Sequence, residues 1–139
     1  MLAVQKAKEL TKNAETDMEK VKTIYDYVTG NITYDDKKIN SLASDYVPVI
    51  DEILAKQSGI CYDYSALYAA MLRSINVPAK LVMGYRSDIN TYHAWNQVYL
   101  KEQGKWVTID TTYDSTLRQE GSATSMIKDE GDYKVDKIY

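Results

Sequence analysis

The sequence predicts an α+β domain, with helices first and an antiparallel sheet after them. Two observations carry that expectation. Apolar residues recur at helical spacing through residues 1–75, and beyond Pro78 the pattern changes to runs rich in Val, Tyr, Trp, Ile and Thr. A length of 139 residues suits one domain, and a 45% hydrophobic share is enough for a single core.

Each element has a local reason. Ala3, Ala7, Leu10 and Ala14 form a thin apolar stripe among Lys and Glu, so residues 1–15 read as a surface helix. Thr16 and Glu19 fit a capping box at the head of a second helix, or sit inside one continuous helix. Val21, Ile24, Tyr25 and Val28 give this stretch a buried face, and Gly30-Asn31 ends it. Ile32 to Asp36 reads as a short extended or turn segment. After a loop, Pro48 starts a third helix over about 49–57, which Ser58-Gly59 breaks. Residues 61–75 carry the strongest helical signal, with Tyr64, Tyr68, Met71, Leu72 and Ile75 on one side. Ala66, Ala69 and Ala70 allow neighbours to approach closely, and Asn76 and Pro78 stop the helix. Strands are expected over 79–86, 92–100 and 105–111, with Gln103-Gly104 as the turn between the last two. Residues 112–139 are polar and weakly periodic, and read as a loop-rich tail with a solvated acidic run at Asp129, Glu130 and Asp132.

Composition excludes several functions. A net charge of −3 argues against nucleic-acid binding, which needs a basic face. No apolar run approaches the ~20 residues that cross a bilayer. The first twelve residues lack the apolar stretch of a secretory signal, so any such signal was removed or never present. One cysteine permits no internal disulfide, and one histidine no His-rich metal site. Asp35, Asp36, Asp45, Asp51, Asp63 and Asp114 show no metal-loop spacing, so neither a metal nor another cofactor is expected. With thirteen tyrosines and no phenylalanine, tyrosine must supply most of the aromatic packing of the core.

The two singletons stand in suggestive places. Gly59-Ile60-Cys61 puts the thiol at the start of the best helix, where unpaired N–H groups and a partial positive charge favour thiolate over thiol. The same N–H groups can receive the oxyanion formed when sulfur attacks a carbonyl carbon. Gly59 allows a tight entry and leaves room for a substrate backbone. Taken alone, Cys61 reads first as a small buried hydrophobe, and its partners lift the chemical reading. His93 shares one strand face with Trp95 and Gln97, and Asp110 stands at the end of the following strand. A thiol nucleophile needs a base and the base needs an orienting group; Cys61, His93 and Asp110 supply those three roles. Read structurally, His93 is a core histidine and Asp110 a turn cap. A two-residue Gln103-Gly104 turn sets Gln97 opposite Asp110 and leaves His93 about 13 Å further along at ~3.3 Å per residue. Direct opposition requires the loop centre to move to Lys101–Glu102, or a bulge.

Three blocks together resemble the transglutaminase-like superfamily, the papain-related group of microbial Cys–His–Asp domains. Gly59-Ile60-Cys61-Tyr62-Asp63-Tyr64-Ser65 is similar to the nucleophile block. His93-Ala94-Trp95-Asn96-Gln97-Val98 is similar to the His-Ala-Trp block. Trp106-Val107-Thr108-Ile109-Asp110-Thr111-Thr112-Tyr113-Asp114 resembles the Trp-x-x-x-Asp-x-Thr-x-Asp block, with Thr111 where proline is frequent. The segment from Tyr27 to Asp35 also resembles the stretch preceding the core. The resemblance implies a nucleophile at Cys61, a general base and acid at His93 and an orienter at Asp110, within a papain-like core. Gln57 is an oxyanion candidate by analogy, against a plainer reading as a polar helix end. Tyr92 and Trp95 are candidates for shielding the site. The division implied is a surface helix over 1–15, a catalytic core over 16–114 and a polar tail over 115–139 that packs on the domain or continues it.

The expected function is a thiol acyl-transfer enzyme, a cysteine protease or amidase acting on peptide or isopeptide-like amides of a protein or peptide substrate through a thioester. The alternatives are a cross-linking transglutaminase, an inert binding module of a larger surface protein, and a redox-sensing thiol, the last weakened because the chain has no resolving cysteine. Members of the family differ in activity, so the fold outruns the substrate. Oligomeric state and compartment are not legible. A lone cysteine suits either side of a membrane, and the resemblance implies only that export is common.

Overall fold

The computed structural model describes residues 1–41 and 45–139. The loop read before Pro48 includes residues 42–44, which lie outside the described residues. The first two helices are separate: α1 spans Leu2–Thr11 and α2 spans Asp17–Asn31. Thr16 caps α2 by accepting the Glu19 N–H at 3.1 Å, while Glu19 accepts the Glu15 N–H at 3.0 Å. The short strand β1 (Thr33–Tyr34) pairs in parallel with β2 (Ser58–Gly59), and between them lie α3 (Asp36–Ser41) and α4 (Ile50–Lys56). That ribbon holds Tyr34 and Asp36 beside the start of α5 (Cys61–Ser74).

Helix α5 is the core's axis because its apolar side is wide. Tyr64, Leu67, Tyr68, Met71 and Leu72 are all fully buried. The want of phenylalanine has a structural use here. The Tyr64 hydroxyl donates to the Ile32 carbonyl, the Tyr68 hydroxyl to the Val21 carbonyl and the Tyr25 hydroxyl to the Asp114 carboxylate. Each ring therefore contributes apolar burial and also a polar bond to another element, which satisfies a hydroxyl that would be costly to bury alone.

The sheet is a five-stranded antiparallel one in the order β6-β5-β4-β3-β7, where β3 is Ala79–Arg86, β4 is His93–Leu100 and β5 is Lys105–Ile109. The expected loop-rich tail is instead structured. Residues Thr111–Gln119 form α6, Ile127–Lys128 form β6 on one edge, and Tyr133–Ile138 form β7 on the other, after a 3₁₀ turn at Glu130–Asp132. The third predicted strand stops at Ile109, because Asp110 caps α6 by accepting the Tyr113 N–H. The hairpin register also differs from the two-residue turn. Leu100 pairs with Lys105, giving a four-residue loop in which Gly104, at φ 62°, supplies the left-handed position.

One buried amide fastens helix to sheet. Asn96 on β4 donates from Nδ2 to the Ser65 carbonyl of α5 and to the Lys80 carbonyl of β3, both at 3.0 Å. Asn96→Ala removes both bonds and leaves a small void, so we expect a loss of about 2–3 kcal/mol. Urea unfolding checks this; a stability unchanged to within error would show that the amide fastens nothing.

Candidate active site

The β4–β5 register decides where the histidine meets the acid. With Asn96 opposite Ile109, Trp95 is level with Asp110, and His93 lies two residues further along the same face. A diagonal of that kind is within reach of long side chains. His93 Nε2 lies 2.7 Å from Asp110 Oδ2. Direct opposition is thus unnecessary, and a register shift of two residues from the Gln103-Gly104 turn is enough. Asp110 does serve as the turn cap that the sequence set against catalysis, and it holds the imidazole as well. Its Oδ1 caps α6 through Tyr113 N–H at 3.1 Å, and its Oδ2 holds the imidazole.

Cys61 occupies the first position of α5 and is half-buried. It lies close enough to the His93 ring to act on its charge, and both line one cleft. Burial by itself would lower the His93 pKa. The bonds and charges of Asp110 and Cys61 outweigh that and push it up to about 10, so the imidazole is protonated at neutral pH. The first bond of the α5 ladder runs from Tyr64 N–H to the Ile60 carbonyl, so the N–H groups of Cys61 and Tyr62 precede it.

A second carboxylate stands in the same turn. Asp63 is fully buried, accepts the Ile60 N–H at 3.0 Å and is paired with Lys38 at 2.8 Å and with the Tyr46 hydroxyl. Its charge is thereby balanced close to the thiol. This carboxylate also explains Gly59, where a Cβ would stand 2.6 Å from Asp63 Cβ. The glycine is required by its own helix cap, not only by a substrate.

Cys61 and His93 face an open cleft of about 620 Å³ walled by Tyr34, Asp36, Ile89, Thr91, Tyr92, Thr112, Tyr113, Thr116 and Leu117. The lining is mainly apolar, with Asp36 as its one acidic side chain among the described residues. Tyr92 is on that wall, with its hydroxyl donating to Asp136 at 2.6 Å. Trp95 is buried beneath, its ring 6.0 Å from His93 and 4.8 Å from Tyr133, so it supports the histidine from behind. Gln57 is not brought to the cleft. It ends α4 in the left-handed conformation and lines a separate hollow with Leu2, Lys6, Glu9 and Tyr27. Asp114, the last residue of the third block, is fully buried between Tyr25 and Lys128 and plays a packing role.

One partner of the acid was invisible in the sequence. Tyr133 donates its hydroxyl to Asp110 Oδ2 at 2.9 Å from strand β7. Its own pKa is raised, first by burial and then by the Asp110 charge. Among the described residues no cluster of His, Cys, Asp and Glu could hold a metal ion. No helix of the described residues is long and apolar enough to cross a membrane.

Comparison with known proteins agrees with this architecture. The chain is 30% identical over 120 residues to YebA of Bacillus subtilis, covering 74% of this chain and 16% of that protein. It is 30% identical over 119 residues to the human kyphoscoliosis peptidase, covering 78% and 18% respectively. It thus spans less than a fifth of either relative. The periplasmic domain of TgpA from Pseudomonas aeruginosa superposes with a TM-score of 0.68 at 25% identity, over 85% of this chain and 46% of that one. The family model described as the transglutaminase-like superfamily matches residues 4–111, from α1 to the first residue of α6. On that match, which takes in the thiol, the imidazole and the carboxylate, the chain belongs to the transglutaminase-like superfamily.

Proposed function

We propose that the protein is a thiol acyl-transfer enzyme that hydrolyses peptide or isopeptide-like amides. The observation that supports this reading is the Asp110–His93 pair set on the wall of the same open cleft as Cys61 at the start of α5. Cys61 Sγ attacks the carbonyl carbon and forms the C–S bond. The Cys61 N–H receives the oxyanion. As the C–N bond breaks, His93 gives its proton to the leaving amine, and Asp110 keeps the ring oriented. Water then attacks the thioester, His93 takes a proton from it, and as the C–S bond breaks the acid product leaves with the thiolate and the charged His93 restored.

The apolar walls, Tyr34, Ile89, Tyr113 and Leu117, favour a donor with apolar side chains beside the reacting amide. Hydrolysis is preferred over cross-linking because nothing in the cleft marks a second, amine-binding site. The human relative's name, a peptidase, points the same way, whereas cross-linking is the alternative that the family keeps open.

Two measurements test the proposal. Iodoacetamide should alkylate Cys61 readily at pH 6, where His93 is charged, and far more slowly in His93→Ala. A rate that follows an ordinary thiol in both proteins would favour an inert binding module. Incubation with a glutamine donor peptide and a labelled amine should give cleavage or deamidation. Amine incorporation without hydrolysis would overturn the preference for water.

A further inference from the structure

Asp110 accepts three donors: the His93 ring, the Tyr113 backbone N–H and the Tyr133 hydroxyl. The first two belong to the sequence blocks and to the capping of α6. The third comes from an edge strand beyond the matched segment 4–111. Tyr133 shares with His93 the single oxygen Oδ2, so the hydroxyl acts on the atom that holds the imidazole.

The ring that carries this hydroxyl is itself fixed. Trp95 packs on it at 4.8 Å, and the Arg86 guanidinium lies 5.0 Å from its centroid and 3.9 Å from that of Tyr113. Arg86 is in turn anchored to Asp88 at 3.0 Å and to Asp132, the residue before Tyr133, at 3.6 Å. Asp88 also accepts the Tyr113 hydroxyl at 2.7 Å. Arg86 thus lies against both tyrosines that touch Asp110, one through its backbone and one through its hydroxyl.

We propose that Tyr133 is a positioning residue for the Asp110–His93 pair, acting through the shared carboxylate oxygen, with Arg86 setting the angle of its ring. The proposal rests on the reading of His93 and Asp110 given above. A hydroxyl donated to the carboxylate spreads its negative charge and prevents it from swinging off the imidazole. It therefore tempers the pull on the His93 proton, which must leave for the amine during turnover. The charged groups acting on His93 are Asp110, Cys61 and, further off, Asp88, with Asp36 on the wall of the same cleft, and of these only Asp110 loses a partner when Tyr133 is changed.

Tyr133→Phe keeps the ring between Trp95 and Arg86 and removes only the donor. In the variant, the NMR titration midpoint of the chain's sole histidine should rise, because the carboxylate left with one fewer donor holds the imidazolium more tightly. Turnover of a peptide p-nitroanilide, whose leaving group is an amine, should fall about tenfold with KM little changed. Tyr99→Phe, on the β4 stretch away from the cleft, should leave both readouts in place. An unmoved His93 midpoint in folded Tyr133→Phe overturns the proposal, whatever the turnover, since a purely structural ring would not couple to the imidazole. Absence of any turnover in the unaltered protein would count against the enzymatic reading instead, and the titration would still decide the role of Tyr133. Should the variant fail to fold, the unaltered protein serves. A Tyr133 hydroxyl proton seated on Asp110 should give a slowly exchanging resonance near the His93 ring, and its absence overturns the proposal.

Discussion

His93→Gln is expected to lower turnover by about three orders of magnitude, the upper part of what a positioned acid–base group contributes. Glutamine fills similar space and can still donate to Asp110, so the buried carboxylate keeps a partner and the fold survives. What disappears is the proton that the leaving amine requires, together with the positive charge facing Cys61. A second readout follows from the raised pKa. The folded state holds the His93 proton more tightly than the usual value of 6.5 and releases it only near pH 10. The pair therefore adds stability in full below about pH 6.5 and loses it as pH rises through about 10. Urea unfolding at several pH values should show this decline in the unaltered protein and a flatter profile in His93→Gln. Turnover within tenfold of that of the unaltered protein would mean that Cys61 works without this histidine.

Gly84→Ala should be as damaging from a position outside the cleft. At Gly84 the pairing of β3 with β7 shifts register, and a Cβ there would stand 2.0 Å from the Lys134 carbonyl oxygen and 3.0 Å from Trp95 Cη2. The obstacle is backbone, so no rotamer change relieves it, and β7 must move away from β3. We expect a loss of about 3 kcal/mol or more, the upper range for overpacking. Amide exchange over residues 133–138 should accelerate, and Tyr133 should leave Asp110. A variant within about 0.5 kcal/mol of the parent, with β7 still protected, would show that the strands tolerate the methyl group.

What was legible in the sequence was what the chemistry makes local. A lone cysteine after Gly59-Ile60, and a lone histidine in a run of strand-forming residues, are recognisable because the residue types are rare and the elements strongly patterned. The carboxyl-terminal elements were not legible, for two different reasons. Helix α6 buries Thr111, Thr112, Asp114 and Ser115, polar residues whose inward face leaves no apolar period to read. Strand β7 is exposed along nearly its whole length, so it shows no alternation either, and Tyr133 looks like any surface tyrosine. The hairpin register escaped because Gly104 sits at the end of a four-residue loop and not in the middle of a two-residue turn. Gln57 was drawn in by analogy with papain-like enzymes, yet the left-handed end of α4 carries it into another hollow.

The placing of β6 and β7 on opposite edges of the sheet bears on vectorial synthesis. The central strands β3, β4 and β5 are contiguous along the chain and can zip as each leaves the ribosome, but both flanking strands come from residues 127–138. Sulfur, imidazole and carboxylate have all emerged before residue 111, while the phenol behind the carboxylate follows 23 residues later. A nascent chain thus carries its thiol and imidazole for some time before the carboxylate is fully braced, and the cluster is completed at the end of translation of this segment.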